Sequence, residues 1–175
     1  AGTTAWEAPP GRVTDTGRPL VFAFGGTINS VDQVRSLRQL AEALDSISAT
    51  LSIYGPFTPE DAKRAGLSRP NIRICGLVPS AEFISTMRAE ADVLFVPMTF
   101  DRGVRLLAMT SFPSKLSDYT AAGLTLLIFA RRESSAVRWA EDNPGTAEVV
   151  DTDTGVGLEM AVRHLASDPG YRLEL

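Results

Sequence analysis

Short apolar runs that alternate with helix-period stretches limit what this chain can fold into more than any other feature. Residues 20–24 are apolar and end at Gly25-Gly26. Val31, Val34, Leu37, Leu40, Ala41 and Leu44 then recur at spacings of three and four, the signature of an amphipathic helix. Ser30 followed by Gln33 predicts a capping box at its start. The pattern repeats, with strand-like runs at 50–54, 71–75, 91–96, 125–129 and 147–150. Helical stretches separate them: a short one opened by Thr58-Pro59, then 80–90, 113–122, 134–142 and 156–166. The run at 91–96 is almost wholly apolar, as in a parallel strand covered on both faces. Alternation at this spacing predicts a doubly wound, Rossmann-like parallel sheet of about six strands.

Residues 1–18 carry no sustained apolar period and read as a linker or interdomain segment, with Ala8-Pro9-Pro10-Gly11 as its stiff part. Residues 19–175 read as one binding domain, and the chain's opening on Ala1 reads as a processing boundary. At 175 residues and 44% hydrophobic content the chain can bury a core of its own. A formal charge of −4 with no basic run argues against nucleic acid as a partner. Cys75 is the only cysteine, so no internal disulfide can form and a reducing, cytoplasmic setting is expected. No apolar stretch approaches the roughly 20 residues that cross a bilayer. There is no internal repeat.

In a doubly wound sheet, ligands bind in the loops that follow the strands' carboxyl ends. Those loops are 25–30, 54–57, 76–80, 97–115 and 130–135. Gly25-Gly26-Thr27 either lets a ligand approach the backbone closely or makes a plain tight turn. It matches neither the dinucleotide fingerprint nor a Walker A loop. The stretch 111–123, Ser-Phe-Pro-Ser-Lys-Leu-Ser-Asp-Tyr-Thr-Ala-Ala-Gly, says more. Pro113 suits a first helical turn, and Lys115 and Asp118, three apart, share a helix face. A cation near a helix N-terminus costs roughly 0.3–1 kcal/mol, and a bound anion would reverse that sign. An ordinary ion pair on a solvated helix accounts for the same spacing.

Asp151-Thr152-Asp153 has the form of a metal-binding D-x-D, but short acids before Thr154-Gly155 more commonly cap a helix. His164 has no second ligand at metal spacing, and no metal site is expected. Cys75 reads as a small buried side chain.

The stretch 111–123 resembles the donor-site helix of GT-B glycosyltransferases of family four, Pro-(Ser/Asn)-Lys-x2-Glu-Tyr-x-Ala-x-Gly before an apolar strand. Gly25-Gly26, residues 72–78, 91–96 and 147–151 follow that family's other elements in order, so the likeness covers about 19–170. The resemblance implies the donor-binding half of a retaining hexosyltransferase. Its donor is a nucleotide diphosphate sugar, used without cofactor or metal. The acceptor would be held by a separate N-terminal domain absent from this sequence, which could also bring the enzyme to a membrane surface. Ser114 and Lys115 would meet the diphosphate, and Lys115 would stabilise it as the leaving group. Asp118, in place of the second Glu of Glu-x7-Glu, would accept from the ribose hydroxyls. Gly25 and Gly26 would meet the diphosphate or sugar, the backbone of Leu77 and Val78 the base edge, and Tyr54 belongs to the same donor-site set. Thr110 stands where the first Glu falls, and the basic residues common after the first strand are absent from Thr27-Ile28-Asn29-Ser30-Val31-Asp32-Gln33. Arg102 and Arg105 are candidate substitutes. The alternatives are a non-catalytic nucleotide-sugar-binding module and half of a nucleotide-sugar epimerase, which would need acid and base groups not evident in these loops.

Overall fold

A computed structural model describes residues 17–101, 103, 109, 110 and 114–175. Residues 1–16 of the expected linker lie outside it. All six strands pair in parallel, in the order β3-β2-β1-β4-β5-β6, as expected for half of a GT-B fold. The strands are β1 (Val21–Gly25), β2 (Thr50–Tyr54), β3 (Ile72–Gly76), β4 (Val93–Pro97), β5 (Thr125–Phe129) and β6 (Ala147–Val150). Between and after them, numbered among the described residues, run α1 (Val31–Asp45), α2 (Pro59–Arg64), α3 (Phe83–Glu90), α4 (Ser114–Ala122), α5 (Ser135–Asp142), α6 (Gly155–Ser167) and α7 (Pro169–Glu174).

Successive side chains of a strand point to opposite faces, and here both faces are covered. Phe22 and Phe24 of β1, Phe95 of β4 and Phe129 of β5 pack under α1 and α6, against Leu37, Leu40, Leu158 and Val162. Their neighbours Ala23, Leu94, Val96 and Ile128 face the other way, against Phe83 and Met87 of α3, Leu116 and Tyr119 of α4, and Val137 of α5. Burial on both sides is why these strands read as continuous apolar runs rather than alternating ones.

Local chemistry sets the ends of the elements. Thr58 and Asp61 form a full capping box on α2, with Pro59 in its first turn. On α1 the box is displaced by one residue. Ser30 Oγ accepts from the Gln33 N–H at 3.1 Å, while Gln33 Oε1 accepts from the Asn29 N–H at 3.0 Å rather than from that of Ser30. The fourth strand begins at Val93, later than the apolar pattern implies, because Ala91 is the C-cap of α3 and Asp92 is spent on an anchor. Asp92 accepts from the Val21 N–H at 2.8 Å and pairs with Arg18, whose Nη1 donates at 2.8 Å. Helix α7 has no apolar period and escapes sequence reading. It is nucleated by Asp168, whose side chain accepts from the Tyr171 N–H, with proline in the first turn.

Candidate functional site

The sheet order reverses between β1 and β4, so the chain leaves their carboxyl ends toward opposite sides of the sheet. A crevice opens at such a point in any doubly wound sheet. Here it is a cleft of about 340 Å³. Gly25, Gly26 and Thr27 border it from the end of β1, and Asn29 and Gln33 from the start of α1. Val96 and Pro97 of β4 form its floor, and Ser114, Lys115 and Tyr119 of α4 its opposite wall. Depressions of similar volume lie between β6 and α6 and beside Phe100 and Arg131, so position rather than size distinguishes this one.

The glycine turn is built by packing. At Gly25 a Cβ would fall 2.5 Å from Cζ of Phe83, so the absence of a side chain there follows from the core alone. Gly26 has φ +154°, which disfavours other residues, and its N–H donates to the Tyr54 carbonyl at 2.8 Å. Tyr119 holds the turn from the far side. Its hydroxyl accepts from the Gly25 N–H at 2.7 Å and donates to the Gly25 carbonyl at 3.2 Å. Burial raises the pKa of this hydroxyl well above the ordinary tyrosine value, so it stays a neutral donor and acceptor.

Lys115 lies one helical turn before Tyr119, on the same face of α4. Its ammonium sits 4.7 Å from the centroid of the Phe83 ring and 3.7 Å from Asp118 Oδ2. Both members of that ion pair are nearly half exposed, at 44% and 47%, so the pair adds little stability and a bound anion could compete for the ammonium. Among the described residues that line the cleft, Lys115 alone carries a formal charge. The other polar groups there are neutral. Gln33 Oε1 is committed to the Asn29 N–H, so hydrogen bonding assigns the Nε2 end, with its two donors, as the unpaired one.

The structure thus brings Gly25, Gly26, Ser114 and Lys115 together, with Asp118 beside Lys115 just outside the cleft lining. It does not bring in the Tyr54 side chain, which is buried on the α3 side. The Tyr54 hydroxyl donates to Glu90 Oε2 at 2.6 Å, and burial, then that bond, pushes its pKa up. Only the Tyr54 carbonyl touches the turn. Leu77, 75% exposed, and Val78, half-buried against the core, lie past the end of β3 and do not line the cleft. Thr110 is exposed beside Met109, whose carbonyl accepts from Arg138. Arg102, Arg105 and Pro113 lie outside the described residues.

Sequence reading passed over Gln33, Asn29, Phe83 and Tyr119 as site residues. The Ser30-to-Gln33 spacing and the Lys115-to-Tyr119 spacing could have found two of them. Nothing local marks Phe83. Of the two D-x-D acids, Asp153 pairs with Arg35 at 3.0 Å, and it is Thr154, not an acid, that caps α6. His164 stacks on Tyr171 at 4.3 Å. Among the described residues there is no group of three or more potential ligands that could hold a metal, and no helix long and apolar enough to cross a membrane.

No family model and no curated protein matches the chain. Solved structures do. WaaG, a glycosyltransferase involved in lipopolysaccharide biosynthesis, superposes with a TM-score of 0.58 at 18% identity, over 90% of this chain and 40% of its own. Anabaena Alr3699/HepE, in complex with UDP and glucose, does so with 0.58 at 12% identity, over 94% of this chain and 44% of its own. A UDP-forming α,α-trehalose-phosphate synthase from Burkholderia xenovorans gives 0.57 at 17% identity, over 90% and 38%. The chain therefore spans about two fifths of the length of these glycosyltransferases and shares the fold of that part.

Proposed function

We propose that this chain is the donor-binding domain of a retaining glycosyltransferase that uses a nucleotide diphosphate sugar. One observation carries the reading. At the switch point between β1 and β4, a glycine turn faces the Lys115 ammonium across a cleft whose other described lining residues are neutral. A glycine turn that permits close approach, a lysine and an amide suit phosphoryl oxygens, and no carboxylate that would repel them is among the described residues of the lining. The shared fold with glycosyltransferases, one of them solved with UDP and glucose, supports the same reading.

In this proposal Lys115 and Ser114 hold the diphosphate, with Gly26 offering close backbone approach. Asp118 accepts from the ribose hydroxyls, and Leu77 and Val78 offer backbone groups to the base. As the bond from the anomeric carbon to the diphosphate oxygen breaks, negative charge grows on the leaving group. The fixed positive potential of Lys115 is worth more in that transition state than in the ground state, which is the condition for catalysis. The acceptor comes from a second domain, and no metal takes part.

The test has two parts. UDP or GDP titrated into the chain should shift amide resonances at Gly25, Gly26 and Lys115, and NAD should not. Equal responses to UDP and NAD overturn the reading. In a chain that also carries an acceptor domain, transfer with retained anomeric configuration is expected. Donor binding without transfer would favour the non-catalytic module, the reading to which Thr110 lends weight.

A further inference from the structure

We infer that Phe83, on an element remote in sequence from the cleft-lining segments, is a positioning residue for Lys115. The proposal rests on the donor-site reading above and extends it to what keeps the ammonium in the cleft. Phe83 opens α3, is 6% exposed, and its ring serves three neighbours at once. It fills the space a Gly25 side chain would occupy, with Cζ 2.5 Å from that position. It stacks on Tyr119 with 6.1 Å between centroids and planes 13° apart. And it presents the ring to Lys115 Nζ at 4.7 Å.

The alternatives open to Lys115 show why this matters. A lysine side chain has four rotatable bonds and gives up much rotamer freedom when held in one place. Its other partner, Asp118, is on the same helix, is half exposed, and gives a weak contact in water. An ammonium tied to Asp118 alone would be screened and mobile. The ring face adds an attraction that needs no counter-charge, so it can hold the ammonium without neutralising it. The ammonium stays available to an incoming anion. Because the same ring abuts Gly25 and Tyr119, the position of the cation is tied to that of the glycine turn. One aromatic side chain thus sets the spacing between the two walls of the cleft.

The experiment compares UDP with uridine, which lacks the phosphates, on the unmodified chain, on Phe83→Leu, and on the chain with pentafluorophenylalanine at position 83. The fluorinated ring keeps its shape but loses the negative face, so it separates cation attraction from packing should Phe83→Leu fold poorly. Both variants should lose about three- to thirtyfold in UDP affinity, the range for a cation–π contact, with uridine affinity unchanged. In a Lys115→Ala background the fluorinated ring should have no further effect on UDP. The side-chain methylene protons of Lys115 should also lose a ring-current shift in Phe83→Leu, with or without ligand. An equal loss for UDP and uridine, or the same loss in the Lys115→Ala background, reduces Phe83 to a packing residue and overturns the proposal. No UDP binding by the unmodified chain overturns the donor-site reading itself, an outcome distinct from the first.

Discussion

The hydroxyl of Tyr119 closes on both polar groups of one residue, accepting from the Gly25 N–H at 2.7 Å and donating to its carbonyl at 3.2 Å. Tyr119 is 1% exposed, so water cannot replace either bond. Tyr119→Phe keeps the ring and its stack on Phe83 but strands two backbone groups. It should cost about 1–3 kcal/mol in a urea titration. Donor affinity should fall with it, since the turn that borders the cleft is no longer held. Unchanged stability would mean that the turn finds other partners.

Gly25 and Gly26 should respond differently to alanine. At Gly25 the new Cβ meets the Phe83 ring, and overpacking of this kind costs about 1–3 kcal/mol. At Gly26 there is room, and the penalty comes from φ +154° instead. Combining Gly25→Ala with Phe83→Leu should therefore cost less than the two single changes added together, whereas Gly26→Ala with Phe83→Leu should be additive. Melting of the three single and two double variants measures both couplings.

Lys115→Ala separates a ligand-binding lysine from a structural one. Its contacts in the free protein are an exposed ion pair and the Phe83 ring, so stability should change by no more than about 1 kcal/mol. Affinity for UDP should drop about 10- to 150-fold, the loss of charge-assisted bonds worth roughly 1.5–3 kcal/mol. A lowered melting temperature with unaltered UDP affinity is the opposite pattern and would make the residue structural.

Gln33→Glu keeps the oxygen that accepts from the Asn29 N–H, since Glu and Gln serve equally in such a cap. Only the cleft-facing end changes, from a two-proton donor to part of a carboxylate. Stability should stay within about 0.5 kcal/mol. UDP affinity, read by calorimetry, should fall about tenfold or more as repulsion replaces donation. Equal affinity would place the diphosphate away from α1.

Alkaline pH should unfold the protein before its tyrosines titrate normally. All three tyrosines are pushed up from an ordinary value of about 10. Tyr171 reaches about 12, chiefly through its bond to Glu148 and then through burial, while burial comes first for Tyr54 and Tyr119. The folded state thus keeps phenolic protons that the unfolded state releases. This stabilisation is fully present below about pH 10 and is lost as pH rises from there through 12. Tyrosinate absorbance should therefore lag behind that of free tyrosine and rise together with loss of helical ellipticity. A normal titration of all three in the folded state would contradict the geometry.

The alternation of apolar runs and helix periods was enough to specify a parallel, doubly covered sheet, because each signal is local: a strand buried on both faces must be apolar throughout, and a helix must repeat every three or four residues. The same locality made Lys115 and Asp118 legible as one helix face. Strand order was not legible in this way. That β1 neighbours β4, and so opens the cleft there, depends on which packed arrangement buries two apolar faces at once. Side-chain direction was equally hidden. Tyr54 sits at the end of a strand that borders the site, yet its ring turns to Glu90, and Phe83, 58 positions from Gly25, fills the space at that glycine. Such contacts depend on the shape left between elements far apart in the chain, which no periodicity encodes; only the folded structure could decide them.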